Sequence, residues 1–287
     1  MKKILVTGAT GQLGRELQLL SGAYTQYQWV FADRATITLD NLPLLERQLA
    51  TIQPNIVINC GAFTAVDKAE SQQQLADTVN HLAVGVLAAW TTTHGAQMLH
   101  VSTDYVFDGN AASARTEEAQ TNPINVYGAT KLLGEQLCLQ NNPEAIILRT
   151  SWVYSSFGNN FVKTMSALMQ ERDSLNVVQD QIGSPTYAAD LAQAIVDILT
   201  GPKWVAGIYN FSNQGEVSWY EFALAIQQIG GFSCKITGIP SSAYPTPAKR
   251  PFYSLLDKTK IAHTFGVAVP HYKESLKKAM ALIEAKK

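Results

Sequence analysis

Residues 7 to 14 read TGATGQLG, with Gly8, Gly11 and Gly14 at GxxGxxG spacing. The stretch follows the apolar run ILV (4–6) and opens into the amphipathic segment LGRELQLL (13–20). A glycine-rich turn between strand and helix suits a dinucleotide. Glycine permits a tight turn and a close backbone approach, and the helix N-terminus presents free N–H groups to a pyrophosphate. Without that context, three spaced glycines mean little and a merely structural turn accounts for them.

Outward from this turn the alternation continues. WVFA (29–32), IVIN (56–59), MLHVS (98–102) and AIILR (145–149) are short and apolar on both faces, as buried parallel strands are. Between them lie helix-like segments, LPLLERQLATI (42–52) and VNHLAVGVLAAWTTTHG (79–95), the second ending in a glycine suited to a helix C-terminus. Strand and helix in turn predict an α/β fold of the Rossmann type, a doubly wound parallel sheet covered on both sides. Past residue 150 the pattern loosens: SWVYSSFGNNF reads as loop, NVVQDQIGSPTY as strand and turn, and IPSSAYPTPAKRPFYS is rich in proline, serine and threonine. The expected organisation is a dinucleotide-binding domain over 1–150 and a smaller, less regular C-terminal substrate domain over 151–287. The chain is expected to return to the sheet around 177–211.

Composition narrows the function classes. With 287 residues, 46% hydrophobic and 16% charged, and a formal net charge of -1, the chain reads as an ordinary globular protein with no basic excess for nucleic acid. The opening MKKILVTGATG has too short an apolar run for a signal peptide, and no run approaches the roughly 18 apolar residues of a membrane span. Cys60, Cys138 and Cys234 are far apart and in no metal-ligand spacing. A cytoplasmic protein with no metal, no membrane and no nucleic-acid partner is expected.

Asp33 ends the second strand nineteen residues after Gly14, where an acidic side chain would meet the adenosine ribose. Arg34 beside it would suit the 2′-phosphate of NADP, so NADPH or NADH is the expected cofactor; a solvated Asp-Arg turn is the plainer alternative. Asp40, ahead of LPLLERQL with Pro43 in the first turn, is read as a helix N-cap.

In VYGATK (126–131), Tyr127 precedes Lys131 by four residues. On a helix the two share a face, and a neighbouring ammonium is expected to lower the phenol from its usual value of about 10. Such a phenol can donate a proton to a developing alkoxide. The pair alone is common. STDYVFDG, directly after the strand MLHVS, adds weight by placing hydroxyls at the C-terminal edge of the sheet, where Thr103 can hydrogen-bond a substrate carbonyl.

TGATGQLG, STDYVFDG and YGATK together resemble the extended short-chain dehydrogenase/reductase family, largely nucleotide-sugar enzymes. NCGAFTAVDKAE, NVYGATKLLGE, RTSWVY, GNNFVKTM, DQIGSPTY and AYPTPAKRPFYS extend the resemblance across almost the whole chain in the family's order. They point to the members that reduce 4-keto-6-deoxy sugar nucleotides. The resemblance implies reduction of the C4 ketone of dTDP-4-dehydro-L-rhamnose to dTDP-L-rhamnose, with Tyr127 as proton donor, Lys131 tuning it and binding the nicotinamide ribose, and Thr103 orienting the ketone. It also implies cofactor contacts from Gly11, Gln12 and Leu13 at the pyrophosphate, from Asp33 at the ribose, from Asp40 and Asn41 near the adenine, and from Ala62, Phe63 and Thr64. Asp104 and Trp152 match positions that contact the sugar, and Arg250 suits a diphosphate. A nucleotide-sugar substrate and a homodimer are the implied partners.

Some family members hold magnesium through glutamates at a dimer interface. Glu16 matches one such position, but Ala189 stands where another is expected, and no metal is predicted. Residues 109–122, GNAASARTEEAQTN, carry no motif and read as a surface loop and candidate lid. Two rival functions stand beside the main one. The first is a related sugar-nucleotide reductase or epimerase that keeps the same Tyr-Lys pair. The second is a non-catalytic protein like the regulatory subunit of methionine adenosyltransferase.

Overall fold

The structure is a computed structural model that describes residues 1–110 and 113–286. Strand β1 (Lys2–Thr7) runs parallel to β2 (Tyr27–Ala32) on one side and to β3 (Ile56–Asn59) on the other. β4 (Gln97–Thr103) and β5 (Ile146–Thr150) extend the sheet outward from β3. The chain then forms β6 (Val153–Tyr154), β7 (Ser174–Val178), β8 (Ile182–Gly183) and β9 (Thr186–Tyr187) away from this sheet. It returns as β10 (Gly207–Asn210), parallel to β5, for an order of β2-β1-β3-β4-β5-β10. Successive connections leave β1 in opposite directions, which opens a crevice over the carboxyl ends of β1 and β3.

Alternating side chains explain why β1 is apolar throughout. Ile4 and Val6 join one core, and Leu5 joins the other. On the first face, α1 (Gln12–Ser21) contributes Leu13 and Leu17. On the second, α2 (Leu42–Ile52) contributes Leu45 and Leu49. Short α3 (Val66–Ala69) and α4 (Gln73–Asp77) lead through a single π turn at Thr78–Leu82 into α5 (Ala83–Thr93), which buries Val84 and Leu87 on that second face. α6 (Val126–Asn141) lies beside it and buries Cys138.

Beyond β5 a second apolar cluster forms. α7 (Phe161–Glu171) buries Val162 and Met169 in it. α8 (Ala188–Thr200) instead packs Leu191, Ile195 and Ile198 against the first face of the main sheet. β11 (Val217–Ser218) pairs antiparallel with β8, and α9 (Trp219–Gly230) starts from a capping box in which Ser218 and Glu221 satisfy each other's backbone N–H. β12 (Lys235–Ile239) runs parallel to β7. α10 (Thr259–Phe265) adds Ile261 to the main core, and α11 (Tyr272–Glu284) adds Leu276 to the second cluster.

One local expectation is corrected. The N-cap of α2 is Asn41, whose side chain accepts from Leu44 N at 3.1 Å; Asp40 lies one residue too far out to reach that donor. The described residues of 109–122 form a loop that lies largely at the surface, as expected, and that is anchored at two points. Residues 111 and 112 fall outside the described residues. Arg115 N donates to Leu255 O at 2.7 Å, and buried Glu117 accepts from Asn210 N at 2.8 Å. A glutamate with a backbone partner on β10 pins this stretch to the fold. The three cysteines are free thiols, and no helix among the described residues is long and apolar enough to cross a membrane.

Candidate active site

At the C-terminal edge of the main sheet lies a cleft of about 990 Å³. Gly8 makes its floor possible. Its φ is +65°, and a Cβ there would come within 2.7 Å of Gly61 N, so turn and neighbouring loop touch backbone to backbone. A Cβ on Gly14 would meet Gly8 O at 2.5 Å, which draws α1 hard against the turn. Gly11 caps α1 with extended backbone and no side-chain hydrogen bond, and the first turn of the helix holds no acidic residue. The exposed N–H groups and dipole of that helix start are therefore left for an anion, which fits the pyrophosphate of a dinucleotide.

Gly8, Gly11, Gln12, Leu13 and Gly14 line the cleft, as do Asp33, Arg34 and Asp40. Ala62, Phe63 and Thr64, after β3, form another wall, with Tyr127 and Lys131 further along the edge. Asn41, Thr103, Asp104, Trp152 and Arg250 are not among the lining residues. Asn41 is spent on capping α2. One oxygen of Asp33 accepts from Ala35 N, Thr36 N and Thr36 Oγ1 at 3.1, 2.9 and 2.8 Å, and these bonds hold its carboxyl below the usual range.

The Tyr127 helix is anchored at its start. Asn125 accepts from Gly128 N at 2.7 Å and donates to Lys249 O at 2.8 Å, while Val126 N donates to Glu70. Gly128 is required because a Cβ there would lie 2.1 Å from Tyr105 O. Tyr105 also meets the Tyr127 ring edge-on, with centroids 5.6 Å apart.

The expected lowering of Tyr127 is corrected. Burial pushes the phenol up to about 12 and outweighs the opposing influence of the nearby Thr103 hydroxyl, so Tyr127 is held protonated. Lys131 Nζ is turned inward, where it donates to Val101 O at 2.7 Å and meets His100 Nε2 at 3.1 Å. Burial also lowers Lys131 itself to about 8. Thr103 Oγ1 donates to Asp104 at 3.1 Å and accepts from Tyr105 N at 3.2 Å. Asp104, 2% exposed, is pushed up to about 6 by burial, and its second oxygen has no hydrogen-bond partner.

The remaining predicted residues sit in other contacts. Trp152 adopts a left-handed φ of +47° and stacks on Trp219 with ring centroids 3.6 Å apart. Arg250 forms a two-pronged pair with Asp67, Nη2 to Oδ2 at 2.8 Å and Nη1 to Oδ1 at 3.1 Å. Its guanidinium therefore has a carboxylate partner and is not free in an exposed loop.

A family model described as RmlD substrate binding domain matches residues 1–284. The chain belongs to that family. A curated dTDP-4-dehydrorhamnose reductase of Aggregatibacter actinomycetemcomitans is 40% identical over 99% of this chain and 100% of its own length. Among solved structures, a dTDP-4-dehydrorhamnose reductase from Clostridium acetobutylicum superposes with a TM-score of 0.94 at 41% identity, covering 98% of this chain and 99% of that one. A Bacillus anthracis dTDP-4-dehydrorhamnose reductase in complex with NADP superposes at 0.93 with 35% identity and the same coverage. The fold class and the family resemblance read from the motifs are both borne out.

Sequence reasoning missed several residues that shape this family member's cleft. Asn80 is fully buried in the π turn, where its side chain accepts from Phe63 N at 2.8 Å and donates to Phe63 O at 3.1 Å. It thereby fixes the wall at Ala62–Thr64. The only hint was a polar amide inside the apolar run VNHLAVGVLAAW. Gln12, already expected at the pyrophosphate, has a further contact that was not: it reaches across the molecule, donating to Val153 O at 3.2 Å and accepting from Asn160 Nδ2 at 2.9 Å. Lys68, Ser102, Thr150 and Asn159 also line the cleft, and no spacing rule marked them.

Proposed function

We propose that the protein reduces the C4 ketone of dTDP-4-dehydro-L-rhamnose to dTDP-L-rhamnose. The observation that carries this reading is the convergence of Tyr127, Lys131 and the glycine-rich turn on one cleft, in a chain that matches reductases of this substrate from end to end. A bound nicotinamide, NADPH or NADH, supplies the hydride. Gly8, Gly11 and the first turn of α1 hold its pyrophosphate, and Asp33 or Arg34 meets the adenosine ribose. The Arg34 guanidinium suits a 2′-phosphate, and with one Asp33 oxygen engaged in its own turn this supports NADPH.

Tyr127 serves as the acid. Its raised pKa keeps the proton in place at neutral pH until a far more basic alkoxide develops at C4. Lys131, two of whose N–H groups are already directed within the fold, steadies the site with its charge and holds the nicotinamide ribose. Thr103, at the end of β4, orients the ketone. Trp152, Asp104 and Arg250 belong to the sugar-nucleotide side, where a diphosphate held by Arg250 supplies remote binding energy that positions the ketone. Arg250 must share its guanidinium with Asp67 to do so.

The test is oxidation of NADPH and of NADH by the purified protein, with dTDP-4-dehydro-6-deoxyglucose in the presence and absence of a 3,5-epimerase. The expected result is epimerase-dependent oxidation with dTDP-L-rhamnose as product. Cofactor binding without ketone reduction would overturn the proposal.

A further inference from the structure

Behind the cleft a chain of polar side chains crosses the interior of the sheet, where neighbouring positions are aliphatic. Lys131, His100, Asn59 and Thr7 are each no more than 1% exposed and come from α6, β4, β3 and β1. Lys131 Nζ lies 3.1 Å from His100 Nε2, His100 Nδ1 lies 3.0 Å from the Asn59 amide, and that amide lies 2.6 Å from Thr7 Oγ1. Thr7 Oγ1 in turn accepts from Gly61 N at 3.1 Å, at the loop against which Gly8 is pressed. Four buried polar side chains in line need a reason, since an imperfectly satisfied buried network costs more than an apolar one.

Donor and acceptor counting orders the chain. An ammonium only donates, and a neutral imidazole has one donor and one acceptor. Lys131 therefore requires a bare Nε2 on His100, which puts the imidazole proton on Nδ1. In the structure the Asn59 amide turns Nδ2 toward His100 Nδ1 and accepts the Thr7 hydroxyl at Oδ1; the Nδ1–H tautomer requires that amide flipped, with its oxygen toward the ring. The amide nitrogen is left to donate to Thr7 Oγ1, which also accepts from Gly61 N. The opposite polarity would aim Nε2–H at an ammonium.

We propose that His100 is a positioning residue for Lys131: as the Nδ1–H tautomer it takes one ammonium proton and, through Asn59 and Thr7, ties the lysine to the backbone beside the glycine-rich turn. Lys131 is thereby held by Val101 O on one side and by His100 on the other, with its third N–H left for the cleft. Burial, together with the adjacent lysine, keeps His100 well below the usual imidazole range, so the ring stays neutral and able to accept. The other groups facing Lys131 are Glu135 and Cys138 on its own helix and Cys60 after β3. Glu135 is itself paired with Arg149 of β5 at 2.7 Å, so the carboxylate is shared and His100 remains a direct polar partner of the lysine. The role given to Lys131 rests on the reductase reading; the geometry of the chain does not.

The first experiment is ¹⁵N NMR of the imidazole nitrogens in the wild-type protein, alone and with NADP⁺ added. The expected result is a protonated Nδ1 and an unprotonated Nε2 for His100, with no titration across about pH 6 to 8. An Nε2–H tautomer, or an imidazolium forming in that range, would overturn the proposal, and both are readable even if no turnover is found. Kinetics of His100→Leu and His100→Gln then separate positioning from space-filling, since glutamine restores an acceptor and leucine does not. In the leucine variant kcat should fall about tenfold, with the basic limb of the pH profile moved to lower pH because the ammonium has lost a partner. Glutamine should restore most of both. Equal losses in the two variants, tracking loss of melting temperature, would assign His100 to packing alone.

Discussion

The glycine-rich turn and the contacts around Trp152 and Arg250 lie on the same molecule but are specified at different ranges. Gly8, Gly11 and Gly14 lie within a single strand-turn-helix unit; Gly14 is required by contact with Gly8 and Ala9, Gly11 sits close to Gly8, and Gly8 alone looks outward, against Gly61 in the loop after β3. Trp152 depends on Trp219, and Arg250 on Asp67, partners drawn from distant parts of the chain. Gln12 belongs to both worlds, since it sits in the turn yet bonds to Val153, 141 residues on. The difference teaches that short-range geometry can be read as spacing, whereas a site assembled from distant partners leaves only residue types behind.

The largest expected effect tests whether the short-range half does the chemistry. Tyr127→Phe removes the proton and little volume, so kcat should fall by about 100-fold or more while the dissociation constant for NADP⁺ holds. Single-turnover kinetics and a binding titration check this, and an unchanged kcat would remove Tyr127 from the role of acid. Gly8→Ala comes next. It adds a Cβ at positive φ and within 2.7 Å of Gly61 N, so denaturant melts should show a loss of about 1–3 kcal/mol from the strained backbone alone, with weaker NADP⁺ binding. A neutral result would mean that the turn is not held by backbone contact.

Asp104 sharpens the comparison from the boundary between the two regions. Its carboxyl rises from 3.8 to about 6 in the folded protein, so the fold binds the proton more tightly than the unfolded chain does. Its contribution is therefore most favourable below about pH 4 and is lost as pH rises through about 6. Asp104→Asn should flatten that slope and raise stability at neutral pH by on the order of 2 kcal/mol, as read from melts at several pH values. The smallest effect belongs to the long-range half. Asp67→Asn breaks a partly exposed pair, so stability should change by less than about 1 kcal/mol, but freeing Arg250 should alter KM for the sugar nucleotide and leave KM for the cofactor alone. A shift in both KM values would mean that Asp67 shapes the cofactor wall instead.

Several features were legible in advance for specific reasons. The strands ILV, IVIN and AIILR stood out because burial on both faces demands unbroken apolar runs, and the parallel sheet follows from helices placed between them. Tyr127 and Lys131 were recognisable because one helical turn separates them. The Tyr127 pKa was misjudged because spacing brings residues near each other without saying how dry the site is. The segment 109–122 lies largely in solvent as its polarity suggested, but its anchor was not legible, because only the fold brings Glu117 to the backbone of β10.

By itself the sequence determined the order of strands and helices, the glycine turn and the tyrosine-lysine pair, because each rests on contacts within a few residues or on a two- or 3.6-residue period. Only the tertiary structure decided which polar groups share a buried path. His100, Asn59 and Thr7 look like unremarkable residues of three separate strands until β1, β3 and β4 lie side by side. Pairing of parallel strands sets that juxtaposition, and the low dielectric of the interior then obliges each group to find a partner.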